Sequence, residues 1–445
     1  MKFFYFLVIF LIGSVASSSF PYELTLKQCI QMALEKNPEV KQKFWLEIAK
    51  KNSLEQTYSE FYPKIFAQYG YKKNYNQNNN ETSIPNKNYF ATLEVQQNLY
   101  NQSFLTKMDL AKGEYSIAQL DFQKQKEDIV YKVIQTYIMI LILMESIKVT
   151  EESLNYYKQY VESIQKFVDY GLRTYNDLLK ANTELKNAEV EVVKLKNQLN
   201  LSKFQLLFLI GLLKENQNDI VNIDILRLDP EEILLYFNTK KEIVKTTLQK
   251  LESFPELYQL ALTYRKDYLI QKKELELSQL EISLQKYGYY PFFGAAFTYS
   301  RIDDQYNLKS PERKTWDLNV FIKIPIFEGF NTKNKIEEYE SLNRVQLEKE
   351  NFLKQNIALE LESNLHTYNE LLKKLQYYKE SYKFSKENLN LLQKRYNNGL
   401  GTFLELSDAT NLYYISSRNL IQTQYEIELK KIEILKLLGI ILEIL

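Results

Sequence analysis

Histidine and cysteine, the side chains most often recruited for metal binding, nucleophilic attack and proton transfer near neutral pH, occur once each here, as His366 and Cys29. One imidazole without a second His or Cys makes no ligand set, and one thiol makes neither an internal disulfide nor a metal site. His366 stands where the other half of the chain has Ile138 in a long helical pattern, so it reads as a helix-surface residue. No phosphate-cradling glycine loop or nucleophile elbow occurs, and carboxylates are too dense on helical faces for any pair to signal acid–base work. The expectation is a non-enzyme with no catalytic residue, metal or cofactor. What stands out instead are two segments of turn formers, hydroxyls and acids. They are Tyr170-Gly171-Leu172-Arg173-Thr174 with Asp177, and Asn398-Gly399-Leu400-Gly401-Thr402 with Glu405 and Asp408.

Those segments lie 228 residues apart, and the same offset carries Ala33-Leu34 onto Ala261-Leu262, Tyr62-Pro63 onto Tyr290-Pro291, and Leu209-x-Gly211 onto Leu437-x-Gly439. A single register held over so long a span marks a duplicated unit. The expected organisation is a first repeat over 21–211, a linker over 212–252 that wraps around the helices, and a second repeat over 253–445. Only 11 Gly and 9 Pro interrupt the chain, too few for several compact folds, so long helices are expected. Lys and Arg total 57 against 56 Asp and Glu, and this net charge of +1 leaves no nucleic-acid footprint.

Met1-Lys2, an apolar run from Phe3 to about Gly13 and small residues up to Ser18 read as a secretory signal peptide over 1–18. No Cys stands directly after it to carry a lipid anchor. Beyond it the most apolar run, Ile138 to Met144, is short and flanked by Gln135, Thr136 and Glu145, so no helix is expected to cross a bilayer. Any insertion would have to use strands.

Within a repeat, apolar spacing gives a helix over Leu26–Lys36 stopped by Asn37-Pro38, and another from about Glu39 to Phe61 closed by Pro63. The period then changes to two. Ile65, Ala67, Tyr69 and Tyr71 alternate with polar or small residues, as do Phe293, Ala295, Phe297 and Tyr299. After polar turns come second strands, with Tyr89, Ala91, Leu93, Val95 and Leu99 on one face in the first copy and Trp316, Leu318, Val320, Ile322, Ile324 and Ile326 in the second. Such alternation also suits a half-buried soluble sheet. Strands of about ten residues and a continuous apolar face favour a membrane sheet. Phe61-Tyr62 and Tyr287 to Phe293, with Trp316 and Tyr89 nearby, would form an interfacial girdle at one end. Four strands cannot close a barrel, so the chain must oligomerise, to eight strands in a dimer or twelve in a trimer.

From about Ser103 to Val168 runs a helix roughly 100 Å long at ~1.5 Å per residue. Its seam passes through Ile129, Val133, Ile140, Leu143, Ile147, Leu154, Tyr157, Val161 and Ile164 in steps of three, four or their sum of seven. Ile134, Ile138, Leu141 and Met144 add a second apolar flank, as in a closed ring of helices. Returning antiparallel helices are expected over about Asn176–Leu209 and Phe403–Leu437.

This arrangement resembles the TolC family of outer-membrane efflux channels. The residues that carry the likeness are Leu24-Thr25-Leu26, Asn37-Pro38-Glu39, Phe61-Tyr62-Pro63-Lys64, Ile324-Pro325-Ile326-Phe327-Glu328-Gly329 and the two tips. It implies a mainly α fold with a small β part: long antiparallel coiled-coil helices forming a periplasmic α-barrel, plus four transmembrane strands per chain, with a homotrimer closing a twelve-stranded β-barrel in outer-membrane lipid. The implied function is a passive conduit in a tripartite efflux or type I secretion system, served by an inner-membrane transporter and a periplasmic adaptor. It further implies that the adaptor docks at Gly171, Leu172, Thr174, Gly399, Leu400 and Thr402, and that Asp177, Glu405 and Asp408 belong to a periplasmic gate, where six carboxylates from Glu405 and Asp408 would favour cations. Gly401 stands where a basic latch residue can sit, with Arg173 as the possible substitute. Two plainer readings remain open: Leu172 and Leu400 tucked inward at simple turns, and the acids as ordinary first-turn residues. The rival function is a non-channel periplasmic coiled-coil structural or adaptor-like protein.

Overall fold

The computed structural model describes residues 24–74, 86–213, 253–303, 306, 308 and 313–444. The expected signal peptide and nearly all of the linker lie outside the described residues. The elements are α1 (Leu26–Lys36), α2 (Pro38–Tyr58), β1 (Lys64–Asn74), β2 (Asn86–Tyr100), α3 (Ser103–Asp169) and α4 (Tyr175–Leu209), then α5 (Phe254–Tyr264), α6 (Lys266–Lys286), β3 (Phe292–Asp303), β4 (Arg313–Lys323), α7 (Asn331–Asn397) and α8 (Phe403–Leu437). Each repeat thus runs helix, helix, strand, strand, long helix, returning helix.

The described chain divides into two compact units. One comprises the described residues of 38–131, 253–371 and 430–444, and holds the sheet. Its strands are antiparallel in the order β1-β2-β3-β4, so β1 and β4 are edges with one neighbour each. The ladder pairs Tyr69 with Ala91, Leu93 with Tyr299 and Tyr299 with Trp316, placing the alternating apolar sets read from the four strands on one face. That face is uncovered: Ile65, Tyr69, Trp316, Leu318 and Val320 are all well exposed. On the other face Phe90 and Phe321 lie over Gly70 and Gly294, where an added Cβ would sit 2.6 and 2.7 Å from the rings. Aromatic cover of strand glycines restores packing that a missing side chain forfeits.

Two sequence expectations about the sheet need correction. Trp316 and Tyr89 do not join Phe61-Tyr62 and Tyr287–Phe293 in one girdle. Tyr89 pairs with Asp303 beside the hairpins, whereas Phe293 pairs with Ile322 at the helix-bearing end, so aromatics mark both ends of the strands. Ile324 and Ile326 are not strand residues either, because the ladder stops where Lys323 meets Phe292, next to two prolines that donate no N–H.

The same unit holds a cluster of charges between helices. Arg265 Nε donates to Asp267 Oδ1 at 2.8 Å and its Nη1 lies 2.7 Å from Glu360 Oε2, while Lys436 Nζ lies 2.8 Å from Asp128. Glu127 is buried, with Lys266 Nζ 3.4 Å away. Burial pushes the Glu127 carboxyl up to about 7, against the weaker opposing pull of Lys266. An acid whose folded pKa is raised contributes stability that is complete below its unfolded value of 4.5 and is lost as pH rises through about 7. Glu127→Gln is therefore expected to remove a loss approaching ~3 kcal/mol. The melting temperature of the wild type should fall between pH 5 and pH 8 while the variant's stays nearly level; parallel curves in a thermal denaturation series would contradict this.

The second unit comprises, among the described residues, 24–37, 132–213 and 372–429. Here α1 is opened by a capping box, Thr25 Oγ1 accepting from Gln28 N at 3.2 Å and Gln28 Oε1 accepting from Thr25 N at 3.1 Å. It buries Leu26, Cys29, Ile30 and Ala33 on one face, and Asn37 closes it with a 2.8 Å bond from Nδ2 to the Leu209 carbonyl. Between α3, α4, α7 and α8 an aromatic core forms in which Tyr160 meets Tyr396 and Phe403 at 6.1 and 6.2 Å. Both apolar flanks of α3 are filled: Ile129, Val133, Ile134, Tyr137, Ile138 and Ile140 show no exposed area. One 18-residue stretch of α3 reaches a mean hydropathy of 1.5, so by length and composition it could cross a bilayer, contrary to expectation. Its burial against the rest of the chain, 61% of the stretch, is that of a core helix.

Candidate functional site

The two tips are built alike. In the first, Gly171 adopts φ +74° and its N–H reaches Val168 O at 2.9 Å while Leu172 N reaches Phe167 O at 2.8 Å. In the second, Gly399, also at φ +74°, bonds Tyr396 O at 3.0 Å and Leu400 N bonds Arg395 O at 2.9 Å. This paired pattern satisfies the last helical carbonyls and needs a residue that tolerates positive φ. A leucine following such a glycine commonly folds back on its own helix, but Leu172 and Leu400 are 68% and 71% exposed. The inward-tucked reading therefore fails, and each tip presents an apolar knob.

The returning helices begin with matched caps. Thr174 Oγ1 accepts from Asp177 N at 3.3 Å and also donates to Asp177 Oδ2 at 2.9 Å; Thr402 Oγ1 accepts from Glu405 N at 3.2 Å while Glu405 Oε2 accepts from Thr402 N at 3.0 Å. Asp177 and Glu405 are thus capping-box residues at helix N-termini, where the backbone also favours negative charge. The Thr402 backbone N–H holds the Glu405 carboxyl below the usual range. Asp408, one turn on, is exposed.

A long-range bond joins the tips. Arg173 Nη2 donates to the Gly401 carbonyl at 2.9 Å, so the basic group does reach across the repeats, but to a backbone oxygen instead of a carboxylate. Gly401 is itself buried, and a Cβ there would sit 3.3 Å from Tyr396 N, a close approach to backbone. Sequence reasoning assigned no role to three further exposed side chains around the knobs: Tyr170 at 78%, Tyr175 at 65% and Leu404 at 61%. The available signal was the broken repeat. Phe403, the counterpart of Tyr175, is buried at 6%, so the phenol marks the tip whose flank stays open.

His366 lies exposed with Nε2 3.3 Å from Glu362, and among the described residues no group of His, Cys, Asp and Glu could hold a metal ion.

Comparison with known proteins gives a consistent answer. Among solved structures the fold is similar to the outer membrane protein VceC from Vibrio cholerae, with a TM-score of 0.77 at 14% identity over 93% of this chain and 96% of that one. It is similar to the CmeC outer membrane channel of Campylobacter jejuni, with a TM-score of 0.78 at 13% identity over 94% and 86%. The open state of the MtrE outer membrane channel of Neisseria gonorrhoeae gives 0.72 at 15% identity over 96% and 94%. At such identities the likeness establishes a shared fold. No curated protein matches the sequence. The profile of the outer membrane efflux protein family, however, matches residues 29–212 and 257–440, one stretch in each repeat. The chain therefore belongs to the outer membrane efflux protein family, a family of channels and not of enzymes, and is an efflux channel of the outer membrane that extends into the periplasm.

Proposed function

We propose that three copies of this chain close a twelve-stranded barrel in the outer membrane and work as the exit duct of a tripartite efflux or type I secretion assembly. An inner-membrane transporter supplies the substrate, and a periplasmic adaptor grips the tips through Gly171, Leu172, Thr174, Gly399, Leu400 and Thr402. The mature chain, in this reading, is a repeat over 21–211, a linker over 212–252 and a repeat over 253–445, following a signal peptide over 1–18. The observation that carries the proposal is the four-stranded sheet, whose apolar face is exposed and whose edges β1 and β4 each lack a second neighbour among the described residues. Unpaired strand edges are not tolerated in hydrocarbon, and cyclic association supplies the missing partners. Three copies, unlike two, leave a lumen wide enough to conduct.

In the same reading Glu405 and Asp408 from three subunits form an acidic constriction, with Asp177 linked to it through the first tip. The capping geometry shapes the test. Because Glu405 caps α8, alanine there would disturb the tip, whereas Glu405→Gln keeps an acceptor for the Thr402 N–H and removes the charge. The protein is expected to be trimeric by light scattering in detergent and to form small, cation-preferring channels in planar bilayers. Glu405→Gln with Asp408→Asn should weaken block by divalent cations about tenfold, as losing two charges per subunit from a ring implies. A monomer, or unchanged block and ion preference, would refute the respective parts of the proposal.

A further inference from the structure

The registers of the sheet fix which residues share a row on its apolar face. The row of Leu93, Tyr299 and Trp316 is the last to be wholly apolar or aromatic. In the next row towards the hairpins Arg301 pairs directly with Lys314, with Tyr69 two strands away opposite Ala91. Four residues beyond Tyr69 on β1 comes Lys73, on the same face by strand alternation. The charge of these outermost rows is lopsided: Lys73, Arg301 and Lys314 against Asp303 alone among the residues whose side chains are described. Lys73 and Lys314 are exposed, and Arg301 Nε is shielded from solvent yet has no hydrogen-bond acceptor among the described residues.

The position of this cationic band follows from the fold. α2 enters β1, β2 leaves into α3, α6 enters β3 and β4 leaves into α7, all at the opposite end of the strands from the hairpins. Since the helices belong to the periplasmic side, the hairpin end meets the outer leaflet. Along β4, Lys314 lies eight residues from Ile322, and at ~3.4 Å per residue with a tilt of about 40° that places the cations roughly 20 Å above the periplasmic edge of the apolar band. This is where acyl chains give way to headgroups.

We propose that Arg301 and Lys314, assisted by Lys73, bind the phosphate groups of a phosphorylated glycolipid in the outer leaflet, whose acyl chains run down past Trp316. A guanidinium and an ammonium on adjacent strands suit two phosphate oxygens or two phosphates, and anionic headgroups are drawn to basic clusters at the membrane surface. The rings of Tyr71 and Tyr89, whose centroids are 5.1 Å apart, lie between the cations of β1 and those of β3 and β4, offering faces and hydroxyls that suit sugars better than a glycerol headgroup.

The test uses the full-length protein purified in non-ionic detergent, with bis-phosphorylated lipid A, its fully dephosphorylated form and phosphatidylglycerol as probes. Lipid retained through gel filtration and the shift in melting temperature are read for each. The wild type should retain bis-phosphorylated lipid A and melt at a higher temperature with it. R301Q/K314Q should retain it about thirtyfold less, since each cation near an anionic surface is worth roughly fivefold, and R301K/K314R should retain it nearly as the wild type does. Equal retention by R301Q/K314Q would overturn the site. Equal retention of dephosphorylated lipid A by the wild type would reduce it to acyl-chain contact, and equal retention of phosphatidylglycerol would overturn the glycolipid assignment. The lipid arms decide the matter on the wild type alone should R301Q/K314Q fail to fold.

Discussion

Replacing Leu172 and Leu400 together by Asp is expected to abolish efflux while leaving the channel assembled in the outer membrane. Both side chains are more than two-thirds exposed, at 68% and 71%, and both follow a glycine whose helix-ending hydrogen bonds are made by the backbone. The substitution therefore changes surface chemistry, and an acid just past a helix C-terminus costs the fold only about 0.5 kcal/mol. For an adaptor that buries the knobs the loss is much larger. Each buried leucine is worth ~1.5–3 kcal/mol, and truncation at the centre of an interface commonly costs 2 kcal/mol or more. Two knobs per subunit thus carry at least 3 kcal/mol, or more than a hundredfold in affinity. Cells carrying the double variant should be as sensitive to the transported compound as cells without the protein, with equal amounts of heat-modifiable oligomer in the membrane. Residual efflux at half the wild-type level would place the docking surface elsewhere. A Leu172→Cys variant gives a direct readout, because the sole native thiol, Cys29, is fully buried and cannot compete for a cysteine-directed crosslinker. Crosslinks to the adaptor from position 172 but not from a buried position such as Leu209 are the expected pattern.

Much of the architecture was readable because it is written twice. A period-2 run after Pro63 is ambiguous by itself, but its recurrence after Pro291 at the same offset reinforces it, and the long helices and tip glycines gained in the same way. What escaped was information that only pairing supplies. Strand composition told that Trp316 and Tyr89 were interfacial aromatics, but which end of the sheet they mark depends on their partners Tyr299 and Asp303. The run from Trp316 to Ile326 keeps its alternation past the point where the ladder ends, since periodicity reports side-chain facing and not whether a neighbour is present to bond. At the tips the sequence named Asp177, Glu405 and Asp408 as one group. The structure adds a local role for two of them: Asp177 Oδ2 and Glu405 Oε2 accept from the Thr174 and Thr402 N–H groups at the caps of their helices, while Asp408 stands exposed a turn further on. The Arg173 bond to Gly401, across 228 residues of chain, has no local signal beyond the mismatch of a basic residue and a glycine at equivalent positions.

Matched glycines of the two repeats differ in what surrounds them, and that decides where the fold tolerates least. Gly439 is expected to be far more sensitive than Gly399, although both have positive φ, +72° and +74°, and both close a helix with the same pair of backbone bonds. Around Gly399 an added Cβ meets nothing within 4 Å, so Gly399→Ala costs only the strain of a left-handed residue, about 1 kcal/mol. At Gly439 the Cβ would lie 2.5 Å from Tyr264 O and 2.7 Å from Arg265 Cα. These are backbone atoms that cannot swing aside, and moving them drags Arg265 off Asp267 and Glu360 and Lys266 away from Glu127. Overpacking of this kind adds roughly 1–3 kcal/mol, so Gly439→Ala should cost about 3 kcal/mol per subunit. The first repeat offers an internal check. Gly211, the counterpart of Gly439, would place its Cβ 2.9 Å from the backbone of Lys36, and there the neighbouring Asn37 anchors Leu209 through one neutral hydrogen bond instead of an ionic cluster. Gly211→Ala should therefore fall between the other two. Denaturant midpoints ordered Gly399→Ala, Gly211→Ala, Gly439→Ala from most to least stable would bear this out. Three equal losses would mean that positive φ alone sets the cost, and that the close approach of α8 to the α5–α6 junction is softer than the 2.5 Å clash implies.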